Sequence, residues 1–227
     1  MNILPLFKMS AQLSLPLAPR RWGGARAGAG RKPGGRRTVA HRARPVHRAR
    51  HPVHVTMRAR EGLPSFREQA IFVEVRAALA AASRGAFRVV HFSVQTNHVH
   101  LVVEAHDARA LSSGMLGLNV RMARAINRVL RVRGSVWKER YHAHPLQTPR
   151  EVRNALVYVL MNAKKHGVRL VGIDRFSSAP WFDGFAGVAP VSSGRPTAVP
   201  KTWLAGDGWR LRGLIRLSER PSPTSRA

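Results

Sequence analysis

The chain has 227 residues, with 39 Lys and Arg against 11 Asp and Glu, for a formal net charge of +28. So one-signed a charge costs self-repulsion in the compact state unless a polyanion neutralises it, which makes nucleic acid the expected partner and an acidic membrane surface a poor second. A hydrophobic fraction of 44% supplies material for a core, and the lack of cysteine excludes disulfides, thiol nucleophiles and Cys-bearing zinc sites.

Residues 1–50 are expected to form a disordered basic arm. Met1 to Leu17 is apolar but broken by Pro5, Lys8 and Pro16, so it lacks the continuous apolar stretch of a secretory signal. No run reaches the roughly 18 apolar residues of a membrane span, and a soluble, cytoplasmic, nucleoid-associated protein is expected. Gly23 to Arg37 is a glycine, arginine and proline stretch that buries too little to offset its ordering entropy.

Order is expected from His51. Residues 53–58 alternate and are β-branched, which predicts a strand. After the turn Gly62-Leu63-Pro64, the spacing of Phe66, Ala70, Ile71, Val73, Val75 and Leu79 predicts a helix over 65–83. Two β-rich runs, 87–96 and 98–105, meet around Gln95-Thr96-Asn97 and predict a hairpin. A helix over 109–132 follows, with Leu111, Met115, Leu118, Met122, Ile126 and Leu130 on one face and Arg121, Arg124, Arg128 and Arg131 crowding the other; Gly134 is expected to end it. Residues 136–146 read as a strand, and Pro149 opens a last helix that Gly167 stops. The order β-α-β-β-α-β-α suggests an α+β, ferredoxin-like sandwich: an antiparallel sheet with helices on one face and the other face open to a ligand. That domain would span 51–170. The aromatic, Pro-rich extension 171–227, with Trp181, Phe182, Phe185, Trp203 and Trp209, is expected to wrap it loosely and fray.

Two features inside the domain carry chemistry. In Asn97-His98-Val99-His100-Leu101, strand alternation projects His98 and His100 from one face, and two imidazoles there make half a metal site. The same alternation also suits two polar residues on a solvated face. In the last helix Tyr158 and Asn162 are four apart, on one face, so an amide oxygen can complete a metal site with a phenol beside it. An amphipathic helix packing its tyrosine at a core edge would read the same way.

Together these residues resemble a known family. The run Val94 to Val103 resembles the HUH motif (His, hydrophobic, His) of single-tyrosine transposases. Trp137 to Leu146, followed by Tyr158-Val159-Leu160-Met161-Asn162-Ala163-Lys164-Lys165-His166-Gly167, resembles the Tyr-Ile-x-x-Asn-Pro-x-x-x-Gly block of the REP-associated tyrosine transposases, IS200-like enzymes. One departure is Ala163 in place of Pro, which is expected to lengthen the helix. The resemblance implies the same ferredoxin-like sandwich, with His98 and His100 as ligands of a divalent metal, Asn162 as the third ligand and Tyr158 as the nucleophile. It implies cleavage and rejoining of single-stranded, hairpin-flanked DNA through a covalent 5′-phosphotyrosine, by a monomer or a homodimer. All three protein donors are neutral, so Mg²⁺ or Mn²⁺ with further phosphate and water oxygens is the expected cofactor. Two alternatives stay open: a hairpin-holding protein that does not cut, and a metal nuclease using water, with Glu104 on the His98 face as its base.

The basic residues have expected roles in DNA binding. Gly30-Arg31-Lys32-Pro33-Gly34-Gly35-Arg36-Arg37 resembles an AT-hook, a flat strip suited to a narrow minor groove. Arg121, Arg124 and Arg128, with Lys138, Arg140, Lys164 and Lys165, are candidates for clamping the backbone, and the aromatic extension for stacking on bases. Gln12-Leu13-Ser14-Leu15-Pro16-Leu17 resembles the short peptide by which bacterial proteins dock on the replication sliding clamp.

Overall fold

The computed structural model describes residues 46–163 and 172–221. The arm residues 1–45, with the clamp-like peptide Gln12 to Leu17 and Arg31, Lys32, Arg36 and Arg37, lie outside the described residues, as do Lys164, Lys165, Gly167 and 222–227. From residue 46 onward the elements are β1 (Val53–Arg58), α1 (Gln69–Ala80), β2 (Phe87–Val94), β3 (His98–Ala105), α2 (Ala108–Leu130), β4 (His142–Pro145), α3 (Pro149–Leu160) and a short α4 (Trp203–Gly206). The four strands form one antiparallel sheet in the order β2-β3-β1-β4, as a ferredoxin-like β-α-β-β-α-β chain requires.

Alternation along the strands divides the sheet into two faces. Val53, Val55 and Met57 of β1 and Val99, Leu101 and Val103 of β3 pack with Ile71, Val75 and Leu79 of α1 and Met115, Leu118, Met122 and Ile126 of α2. Local chemistry fixes the long helix: the Asp107 carboxylate accepts from Ala110 N at 2.7 Å to cap its start, and Arg131 adopts a left-handed φ of 54° to end it. The predicted terminator Gly134 follows three residues later, in the loop. Gly114 lets α2 approach the sheet, since a Cβ there would fall inside the Phe87 ring. Gly114→Ala gains about 1 kcal/mol of helix propensity but overpacks this contact at a cost of about 1–3 kcal/mol. A lower chemical-denaturation midpoint than wild type is the expected result.

The second face is not open. The α3 residues Val152, Leu156, Val159 and Leu160 lie over it with Val102 of β3, and Phe182, Phe185, Leu204, Trp209 and Ile215 of the extension close the outside of α3. The loose wrap expected of the extension is therefore corrected: Trp209 and Ile215 are fully buried, and of its predicted stacking aromatics only Trp203 is well exposed. Arg67 pins this segment to the start of α1 through paired bonds to Asp174 at 2.8 and 2.9 Å. That anchor, with Phe66 N donating to Thr96 O, holds residues 65–68 off the helix axis, so α1 begins at Gln69 and not at 65.

Two further boundaries differ from the sequence reading. The strand expected over 136–146 shrinks to His142–Pro145, because Ala59 pairs with Trp137 while Thr56 pairs with His142. Four residues then face two, and the surplus bulges out as Lys138 to Tyr141. The helix does not lengthen through Ala163: it leaves α-helical geometry at Met161 (φ −109°, ψ 10°).

Beneath the extension, His91 of β2 is buried against Phe182 and Ser178. Burial, aided by the charge of Arg195, pushes it down to about 3. The unfolded chain takes up this proton near pH 6.5 and the folded chain does not, so the stabilisation is complete above about pH 6.5 and is lost as pH falls toward 3, at up to about 1.4 kcal/mol per pH unit. Denaturation midpoints measured from about pH 7 to 4 should fall less steeply for His91→Leu than for wild type.

Candidate active site

The site lies where α3 crosses the second face. Thr148-Pro149-Arg150-Glu151 starts α3: Thr148 Oγ1 accepts from Glu151 N at 3.2 Å, the Glu151 carboxylate accepts from Gln147 N, and Pro149 occupies the first turn. Two and a half turns later the half-buried Tyr158 ring meets His100 edge-on, with centroids 4.9 Å apart. His98 and His100 project from the same face of β3, as alternation requires, with rings 4.7 Å apart and nearly perpendicular.

Hydrogen bonds orient both imidazoles. His100 Nδ1 lies 3.1 Å from Oγ1 of Thr56, its direct cross-strand partner, and His98 Nδ1 lies 2.9 Å from Oδ1 of Asn97. The carboxamide oxygen of Asn97 only accepts, so His98 donates from Nδ1; in the neutral ring that arrangement puts the lone pair on Nε2, the form a metal-ligating histidine takes. Asn162 lies just past the end of α3. Its carboxamide is fully buried and neither polar atom has a hydrogen-bond partner among the described residues. Leaving such a group unsatisfied costs about 1–3 kcal/mol, so it suits a ligand supplied from outside the chain. Among the described residues no three His, Asp or Glu side chains gather to hold a metal. By donor chemistry, the imidazoles of His98 and His100 and the amide of Asn162 are neutral groups of the kind that suit a cation taking its remaining ligands from substrate and water oxygens.

His54 of β1 belongs to this cluster and was not singled out in the sequence. Its ring stacks on His100 at 5.4 Å and meets Tyr158 edge-on at 5.6 Å, and its Nε2 is sealed without a hydrogen-bond partner among the described residues. Burial, with the charge of His144 on β4 added, pushes it down to about 4, so it is neutral at neutral pH. The polar alternation of His54, Thr56 and Arg58 along β1 was the available signal.

The remaining sequence candidates are scattered. Lys138 and Arg140 sit in the bulge before β4, at the end of the sheet where Arg58 faces His98, and Lys138 is paired with Glu61 at 2.7 Å. Arg121, Arg124 and Arg128 line the outer side of α2, with the sheet between them and Tyr158. Glu104 shares the His98 face, but its buried carboxylate is taken up by Arg88, by the backbone N–H groups of Lys201 and Thr202, and by the Thr202 hydroxyl. It stands four residues from His100, about 13 Å along the strand. No helix among the described residues is long and apolar enough to cross a membrane.

The family profile described as "Transposase IS200 like" matches residues 50–160, which include β1 through α3. No curated protein matches the sequence. Among solved structures, that of a REP-associated tyrosine transposase bound to a REP hairpin superposes with a TM-score of 0.51 at 19% identity, covering 62% of this chain and 82% of that one. That likeness is one of fold. The matched region spans the whole sheet and the tyrosine helix, and over residues 50–160 the chain is similar to the IS200-like transposases.

Proposed function

We propose that this protein is a transposase that cleaves and rejoins single-stranded, hairpin-flanked DNA through Tyr158. The phenolic oxygen attacks a backbone phosphorus; the new O–P bond leaves the 5′ phosphate on the tyrosine, and the broken P–O bond releases a 3′ oxygen that takes up a proton. Attack by a 3′-OH on the phosphotyrosine reverses the step and rejoins the strand. The observation that carries this reading is the packing of the Tyr158 ring on His100, on the face that His98 shares. A phenol with a pKa near 10 is a weak nucleophile, so it needs a cationic environment to react as the phenolate.

His98, His100 and Asn162 would hold the divalent ion, Mg²⁺ or Mn²⁺. Bound there, it would withdraw charge from the phosphate and stabilise the leaving oxygen. Lys138 and Arg140, at the His98 end of the sheet, would hold the strand by its phosphates; Arg121, Arg124 and Arg128 would contact DNA remote from the cut. The hairpin substrate is supported by the REP hairpin bound to the protein of like fold. Engagement of the Glu104 carboxylate by the extension speaks against a water nucleophile activated by that residue.

The test is a denaturing gel of labelled single-stranded hairpin DNA, drawn from the sequence flanking the gene, after incubation with the full chain. With Mn²⁺ or Mg²⁺ a band shifted by the protein's mass is expected, and a chelator should abolish it. Cleavage without the shifted band would overturn the covalent route.

A further inference from the structure

We propose that His54 is the positioning residue of the tyrosine: its imidazole packs against the rings of both His100 and Tyr158 and sets the angle at which the phenol meets the histidine pair. The inference rests on the reading of Tyr158 as the nucleophile. Three rings from three elements touch one another, His54–His100 at 5.4 Å, His54–Tyr158 at 5.6 Å and His100–Tyr158 at 4.9 Å. Tyr158 sits half-buried on the flank of α3, where rotation about two side-chain bonds would carry its ring toward solvent. Edge contacts with two imidazoles on adjacent strands hold it in one orientation. His54 is itself held: it pairs across β1 and β3 with Val102, whose side chain is buried under α3.

The chemistry of His54 argues against a filler. Its sealed Nε2 has no hydrogen-bond partner among the described residues, and an aliphatic side chain of similar volume would fill the space without that burden. His54 makes no covalent bond and takes no proton in this proposal. It acts through the phenol, and reacting groups misplaced by about 1 Å lose on the order of 100-fold in rate.

Two measurements on the full chain decide the matter. The first compares wild type, His54→Leu and His54→Ala in single-turnover adduct formation on the hairpin DNA with Mn²⁺. His54→Leu is expected to keep or raise Tm yet lose at least ~10-fold in rate at saturating DNA. Half-saturation should stay within about twofold of wild type, because His54 orients the phenol and does not bind DNA. His54→Ala should be both slower and less stable. A rate that follows Tm, with His54→Leu as fast as wild type, would overturn the proposal, as would a change confined to half-saturation.

The second measurement uses the two tyrosines of the chain, Tyr141 and Tyr158, which give two ¹⁹F resonances after fluorotyrosine incorporation. Loss of one line in Tyr158→Phe assigns it. In His54→Leu that line should move toward the position of free fluorotyrosine and narrow, while the Tyr141 line stays; an unmoved Tyr158 line sinks the idea. If wild type forms no adduct at all, the functional reading fails, and the ¹⁹F result still decides whether His54 positions the ring.

Discussion

Tyr158→Phe is expected to abolish the covalent DNA adduct and to lower strand cleavage by at least ~10³-fold, the scale on which removal of an attacking group acts. The substitution deletes one oxygen and keeps the ring, so the edge contacts with His54 and His100 persist and folding should be unaffected. Hairpin affinity should also be near wild type. The loss then belongs to the chemical step, and a single-turnover assay with DNA in saturating amount reads it directly. Cleavage at the wild-type rate in Tyr158→Phe would assign the phenol to packing and hand the attack to water.

Glu104→Ala should cause the largest loss of stability. Glu104 is 1% exposed, and its two oxygens accept from Arg88, from two backbone N–H groups and from Thr202 Oγ1. Removing one partner of a buried ion pair costs about 3–5 kcal/mol, and here it also strands two N–H donors at the entry to α4. A fall in the denaturation midpoint, with faster hydrogen exchange over residues 200–206, is the expected result. Adduct formation per folded molecule should survive in Glu104→Gln, since the carboxylate works on the extension and not beside the tyrosine. Loss of cleavage in Glu104→Gln with Tyr158→Phe still active would revive the water nuclease.

Much of this was legible in the sequence because it is written in short-range periodicity. The hairpin around Gln95-Thr96-Asn97, the helices α1 and α2 and the projection of His98 and His100 from one face follow from spacings of two and of three to four residues, and the α+β sandwich followed from the element series. What was hidden is what depends on distant partners. His54 joins the site only because β1 lies beside β3, a pairing 40 to 50 residues apart in sequence that no local pattern encodes. The start of α1 is set by Asp174, 107 residues beyond Arg67. The extension has no period at all: Phe182, Phe185, Leu204, Trp209 and Ile215 reach one core from irregular positions, so composition alone suggested a loose wrap. Glu104 shows the limit of alternation, which gave its face correctly and its partners not at all.

The extension also decides how the sheet ends. Along the outer side of β2, Val94 N donates to Phe176 O, Ser178 N to Phe92 O and Ala198 N to Val89 O, so that edge offers few backbone groups to a stranger. The opposite edge, β4, is only four residues long, finishes at Pro145 and shows His142 and His144 to solvent. Short, proline-terminated and polar borders resist strand-to-strand accretion. A truncation after residue 163 would keep the matched family region yet bare the β2 border and the apolar back of α3 together. The part removed is therefore what keeps the enzyme colloidally stable: without it the chain should precipitate by lateral sheet growth despite its charge.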